Sequence, residues 1–172
     1  MKKLDELVDQ IDRRSPKTVS VAQAADDEVL KAVKMARASN LADFFLVGDQ
    51  TEIENKSKAV GLDLSQAGIE VIHASEKDSA QVAVKAVHSG EAHVVMKGHI
   101  DTKSLLKAVL DKEYGLRKGS VLSHVALFEI PGRDKLIYLT DAAMNIAPSL
   151  EEKAQIIKDR KSTRLNSSHL LI

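Results

Sequence analysis

Apolar residues come in two rhythms along the chain, and they alternate. Short β-branched runs, Lys17 to Ala22 (KTVSVA), Asp43 to Val47, Ile69 to His73 and Ala92 to Met96, predict strands. Between them lie stretches with apolar positions three and four apart. Asp26 to Ser39 carries Val29, Leu30, Val33 and Ala36, and Lys77 to Ser89 carries Val82, Val84, Ala86 and Val87. Asp26 or Asp27 is placed to cap the first helix; Gly61 closes a helix over Thr51 to Val60 where a left-handed residue is expected, and Gly90 stops the next. Strand and helix in strict succession predict βαβ units around a parallel sheet, so the fold class is α/β, doubly wound and mostly parallel.

The rhythm breaks after Lys112. Val121 to Ile130 and Lys135 to Thr140 flank Pro131-Gly132-Arg133-Asp134, turn chemistry that predicts an antiparallel hairpin. Residues Ser149 to Lys158 then begin one more helix, with Ser149 as cap and Glu152 at the capping-box position. The expected organisation is an N-terminal α/β domain over residues 1–118, the start of a second subdomain over 119–158 and a tail over 159–172.

Charge and composition then exclude several classes. With 25 basic and 25 acidic residues the chain lacks the basic surplus of a nucleic-acid binder. It has no cysteine, hence no disulfide, no thiolate metal ligand and no thiol nucleophile. The opening MKKLDELVDQIDRR is too interrupted by Asp5, Glu6, Asp9 and Asp12 for a signal peptide and predicts a short amphipathic helix. No apolar run is long enough to span a bilayer, so a soluble, cytoplasmic protein is expected. His73, His88 and His93 have no partner at metal-ligand spacing, and no metal site is expected.

The loop Lys97 to Thr102 (KGHIDT) follows a strand and precedes a helix, at the edge of an α/β sheet where ligands bind. It gathers a cation, a glycine, an imidazole, a carboxylate and a hydroxyl beside a helix N-terminus, which favours anions. An ordinary polar loop, with Asp101 or Thr102 merely capping the helix, is the competing reading. Ser120 with Ser123-His124, and Thr140-Asp141 with Asn145, form two further polar clusters that are either site residues or turn and cap chemistry. Dinucleotide, P-loop and esterase signatures are absent.

The strings MKGHIDTKSLLKAVLDKEYGLRKG and LSHVALFEIPGRDKLIYLTDAAMNIAPSLEEKAQII closely resemble the phosphate acetyl/butyryltransferase family, the butyryl branch in particular, and the likeness covers most of Val19 to Lys158. The resemblance implies reversible transfer of a short acyl group between coenzyme A, a substrate rather than a bound cofactor, and inorganic phosphate. It also implies two α/β domains around a cleft, a fold similar to isocitrate and isopropylmalate dehydrogenases, and a homo-oligomer in the full-length protein. By the same resemblance Lys97, His99 and Thr102 help hold phosphate. Lys107 stands where the acetyl branch has an arginine, Asp141 and Asn145 match a D-x-A-x-N string of the cleft wall, and Ser123 lies in the second matching string. The family's catalytic D-L-S-R-G-like segment has no counterpart here, so the chain reads as an inactive N-terminal half, with a non-catalytic phosphate- or nucleotide-binding module as the alternative. Eleven residues, Asp159 to His169 (DRKSTRLNSSH), match the translation of an adapter used in high-throughput DNA sequencing, and a non-native tail that contributes nothing to function is expected.

Overall fold

The computed structural model describes residues 3–9, 11, 15–117, 122–141, 144–145 and 147–165; of Leu7 and residues 159–165 the backbone alone is described. It divides into two compact units, residues 12–117 and residues 1–11 with 118–169. The larger unit is built on four parallel strands, β1 (Lys17–Ala22), β2 (Ala42–Gly48), β3 (Ile69–His73) and β4 (Val94–Lys97), in the order β3-β2-β1-β4. Helices α2 (Asp27–Ala38) and α3 (Gln50–Val60) cover one face, α4 (Ser79–His88) and α5 (Thr102–Val109) the other, as in a doubly wound sheet.

Successive strand residues point to opposite faces, so each strand feeds two cores. Val21 and Leu46 pack with Leu30, Val33 and Ile53 under α2 and α3. Ala22 and Val47, their chain neighbours, pack with Val84, Leu105 and Val109 under α4 and α5. Strands buried on both faces must be apolar almost throughout, which is why β1 and β2 read as runs rather than alternations.

The caps follow the sequence closely. Asp26 caps α2, its Oδ1 accepting from the amides of Glu28 at 3.0 Å and Val29 at 3.1 Å. Gly61 takes the left-handed conformation after α3, φ 68° and ψ 38°. Some boundaries differ. Helix α4 begins at Ser79 rather than Lys77, because the chain first turns through Ser75, whose carbonyl accepts from the amides of Asp78 and Ser79. Helix α5 ends at Val109: the Leu116 amide returns to the Val109 carbonyl at 2.8 Å, and a Cβ on Gly115 would lie 2.2 Å from the Asp111 carbonyl oxygen.

In the smaller unit α1 is a single turn, Asp5–Val8, and β5 (Val125–Glu129) pairs antiparallel with β6 (Leu136–Thr140) through the expected turn. The expected strand start at Val121 lies outside the described residues, as do Asp12, Ser120 and residues 166–172. Leu139 is exposed, joined by Phe128 and Tyr138, while Val125, Leu127 and Ile137 are half-buried. Helix α6 (Leu150–Leu165) starts with the expected capping box, the Ser149 amide donating to Glu152 Oε2 at 2.7 Å and the Glu152 amide to Ser149 Oγ at 3.2 Å. It continues past Lys158 through the first seven residues of the 159–172 tail. Among the described residues no helix is long and apolar enough to cross a membrane.

Candidate functional site

Strand order places the site. The chain winds outward from β1 through β2 to β3, then crosses back to lay β4 on the other side of β1. The loops leaving the carboxyl ends of β1 and β4 therefore diverge to opposite faces, and the crevice between them is the switch point at which open α/β sheets bind ligands. Here the two loops are laced together. The Gly98 amide donates to the Ala22 carbonyl at 2.9 Å and the His99 amide to the Gln23 carbonyl at 2.8 Å. Gln23 holds a left-handed conformation, φ 56°, unusual for a residue with a Cβ.

Beside this junction opens a cleft of about 670 Å³. Lys97, Gly98, His99, Ile100, Asp101 and Ser104, from the end of β4, the β4–α5 loop and the first turn of α5, line it together with Glu76 and Lys77 from the β3–α4 loop. The second pair reaches the cleft because α4 packs across β2 and β1 on its way from β3 to β4. Lys77, Lys97 and His99 supply positive or ionisable nitrogen donors around it, suited to an anionic ligand.

The helix at the cleft that carries a side-chain cap is α5. Asp101 Oδ1 accepts from the Ser104 amide at 2.9 Å, and the hydrogen bonds from Ser104 hold the Asp101 carboxyl below its usual value. The capping reading of Asp101 thus holds, and a carboxylate already sits at the N-terminus of α5. Helix α4 differs: its N-cap residue Asp78 makes no side-chain cap hydrogen bond, its Oδ2 accepting instead from Ser75 Oγ at 2.7 Å.

Of the residues read as site candidates, Lys97 and His99 line the cleft. Thr102 is the first residue of α5 and exposed, and Lys107 is exposed in its last turn; neither is among the lining residues. A helix turns 3.6 residues per revolution, so Ser104, two positions past Thr102, presents a different side. Asp141 and Asn145 belong to the smaller unit, where Asp141 Oδ1 accepts from the Met144 amide at 3.0 Å and Asn145 Nδ2 donates to the Leu122 carbonyl at 3.0 Å and to Asp141 Oδ2. They tie the turn after β6 to the segment before β5, next to Ser123. Glu76 and Lys77 were missed from sequence, since no local signal in SEKDS tells that its helix crosses to the neighbouring loop.

Carboxylates that accept backbone amides here also make stability acid-sensitive. The Asp26 carboxyl is held low first by the Val29 amide, opposed by desolvation, and the Asp111 carboxyl by the Glu113 amide. A depressed folded value means that their stabilisation is full above the unfolded value, 3.8, and is lost as pH falls through the folded values. Melting temperature is expected to stay nearly flat from about pH 7 to about pH 5 and to fall below about pH 4. Asp26→Asn and Asp111→Asn, which keep an acceptor oxygen, should flatten that acid limb; unchanged limbs in thermal melts across pH would contradict the assignment.

The chain matches known proteins over most of its length. A family profile described as "Phosphate acetyl/butaryl transferase" matches residues 3–81 and 71–164. A protein named "Probable phosphate butyryltransferase" from Bacillus subtilis (strain 168) is 45% identical over 158 residues, 91% of this chain and 52% of that one. A phosphate butyryltransferase of Clostridium beijerinckii is 43% identical, covering 92% of this chain and 52% of its own length. The crystal structure of a branched-chain phosphotransacylase from Enterococcus faecalis V583 superposes with a TM-score of 0.69 at 32% identity, over 87% of this chain and 51% of that chain. The chain spans about half the length of the curated relatives it matches.

Proposed function

The chain belongs to the phosphate acetyl/butaryl transferase family, and from that premise we propose that its cleft holds the phosphoryl group in a reaction moving butyryl or a similar short acyl group between coenzyme A and inorganic phosphate. The observation that carries the reading is that Lys77, Lys97 and His99 together line a cleft at the switch point of the sheet. Starting from acyl phosphate, the thiolate sulfur of coenzyme A attacks the acyl carbonyl carbon, a C–S bond forms, the C–O bond to phosphate breaks, and phosphate leaves with its charge met by the cleft cations. Holding the two reactants in line supplies much of the rate, on the order of 7–11 kcal/mol in favourable cases. Donors to the developing oxyanion supply more.

The division of labour we propose has residues 1–118 as the anion-holding domain and residues 119–158 as the start of a second subdomain. The 172 residues alone bind phosphate but turn over little, because the groups that deprotonate the thiol and cover the carbonyl are expected in a family C-terminal half.

The test is release of coenzyme A from butyryl-CoA in the presence of phosphate, by this chain and by a version extended with a family C-terminal half. In the extended protein Lys97→Met should lower kcat/KM about tenfold or more, chiefly through KM for phosphate, the loss expected for one charge-assisted contact. Lys58→Met, at an exposed position of α3, serves as the control for general loss of charge. Equal kinetics in the Lys97→Met and parent proteins would refute the assignment of the cleft.

A further inference from the structure

We propose that Asp26, besides capping α2, is a positioning residue for His99, so that the loop after β1 sets the orientation of the imidazole at the anion cleft. The proposal rests on the reading of that cleft as a phosphate site.

The backbone of His99 is fixed by its amide bond to Gln23, but its side chain is 77% exposed. An exposed ring on a fixed backbone samples several rotamers, and ordering it has an entropic cost unless a partner holds it. Asp26 is that partner: its Oδ2 lies 3.6 Å from His99 Nδ1. This contact is longer than a formed hydrogen bond, of the kind that tightens when a ligand fills the cleft.

The carboxylate is well prepared for the role. Its Oδ1 is occupied by the amides of Glu28 and Val29, which fixes the plane of the group and leaves Oδ2 for the ring. The Asp26 amide donates to the Ala24 carbonyl at 2.8 Å, continuing the constrained turn that begins at Gln23. Lys56, which bridges to Asp27 at 3.9 Å, adds positive potential near Asp26 and favours its ionised form. From the cleft side the charged groups around His99 are Glu76, Lys77, Lys97 and Asp101. With Nδ1 turned to Asp26, Nε2 is left to the ligand, the arrangement by which a carboxylate orients an imidazole in many sites.

Asn at position 26 keeps the cap while removing the charge, so the test uses Asp26→Asn, His99→Asn and the double variant of the full 172-residue chain. Two quantities are read: the ¹⁵N shifts of the His99 ring nitrogens, and the affinity for inorganic phosphate by titration. Asp26→Asn should move the ring-nitrogen shifts and weaken phosphate binding about fivefold, the scale of one partly solvated charged contact. His99→Asn should weaken it as much, with the double variant no weaker than His99→Asn alone. Ring nitrogens unmoved by Asp26→Asn, or a loss from Asp26→Asn that persists in full on the His99→Asn background, would overturn the positioning role. Should the ring signals move while all four proteins bind phosphate equally, the Asp26–His99 pair stands and the phosphate reading of the cleft falls.

Discussion

Gly98→Ala is expected to lower the unfolding free energy by about 3–4 kcal/mol and to dismantle the cleft at the same time. A Cβ at this position would lie 2.2 Å from the Gln23 carbonyl oxygen, 2.5 Å from that of Ala22 and 2.9 Å from the Gln23 carbonyl carbon. All three atoms are backbone, so no side chain can swing aside. The alternative is to move the β4 loop away from β1, which breaks the Gly98-to-Ala22 and His99-to-Gln23 bonds. Overpacking typically costs about 1–3 kcal/mol and each lost backbone bond about 1 kcal/mol more. In a chain of this size each kcal/mol moves the melting point by roughly 2–4 °C, so a fall near 10 °C is expected. Phosphate titration on the folded fraction should show weakened binding, because His99 loses the bond that fixes its backbone. A melting point within about 2 °C of the parent would mean that the loops are not packed this closely.

The second large effect is expected far from the cleft, at Arg37. Its Nη1 donates to Asp43 Oδ1 at 2.6 Å and to the Ala42 carbonyl at 2.9 Å, and its Nη2 to the Ala67 carbonyl at 2.7 Å. One guanidinium thus ties the end of α2 to the start of β2 and to the loop before β3. Gly68 makes room for it: a Cβ there would meet Asp43 Oδ1 and the guanidinium carbon and Nη2, all within 2.7–2.8 Å or closer. The Arg37 side chain is 13% exposed and that of Asp43 32%, so the pair is shielded enough to matter and wet enough that its loss falls short of a fully buried one. Arg37→Met, which keeps the apolar stem, should cost about 2–3 kcal/mol by leaving a carboxylate and two carbonyls without their donor. Arg37→Lys should recover less than half of that, since an ammonium is a point charge and cannot span the three acceptors as the planar fork does. Denaturant titrations of the two variants measure both figures; full rescue by lysine would show that charge alone, not geometry, holds the corner.

Neither glycine announced its role in the sequence. The local signals were those of period and punctuation. Two faces of apolar residues in β1 and β2, helical spacing from Val29 to Ala36, the acidic cap at Asp26, the stop at Gly61 and the box of Ser149 with Glu152 are properties of a few neighbouring residues, and local sterics and hydrogen bonding settle them. The KGHIDT loop could likewise be placed at the carboxyl end of a strand, because strand and helix alternate without a break up to that point.

Which strands become neighbours is a different kind of fact. Periodicity states which faces are apolar and says nothing about which other strand will lie alongside, and that choice is made by packing helices on both sides of the sheet with right-handed crossovers. The order β3-β2-β1-β4 brings Asp26 to His99 across 73 positions of chain and sets Glu76 and Lys77 against Lys97. The same packing leaves Thr102 and Lys107 outside the cleft that Ser104 helps to line, since helix rotation, not proximity in sequence, decides which side chains face it. Sequence by itself therefore determined the elements, the α/β class and the sheet edge at which the KGHIDT loop lies; the tertiary structure alone decided which charges meet there, because those contacts are long-range and only the strand order makes them.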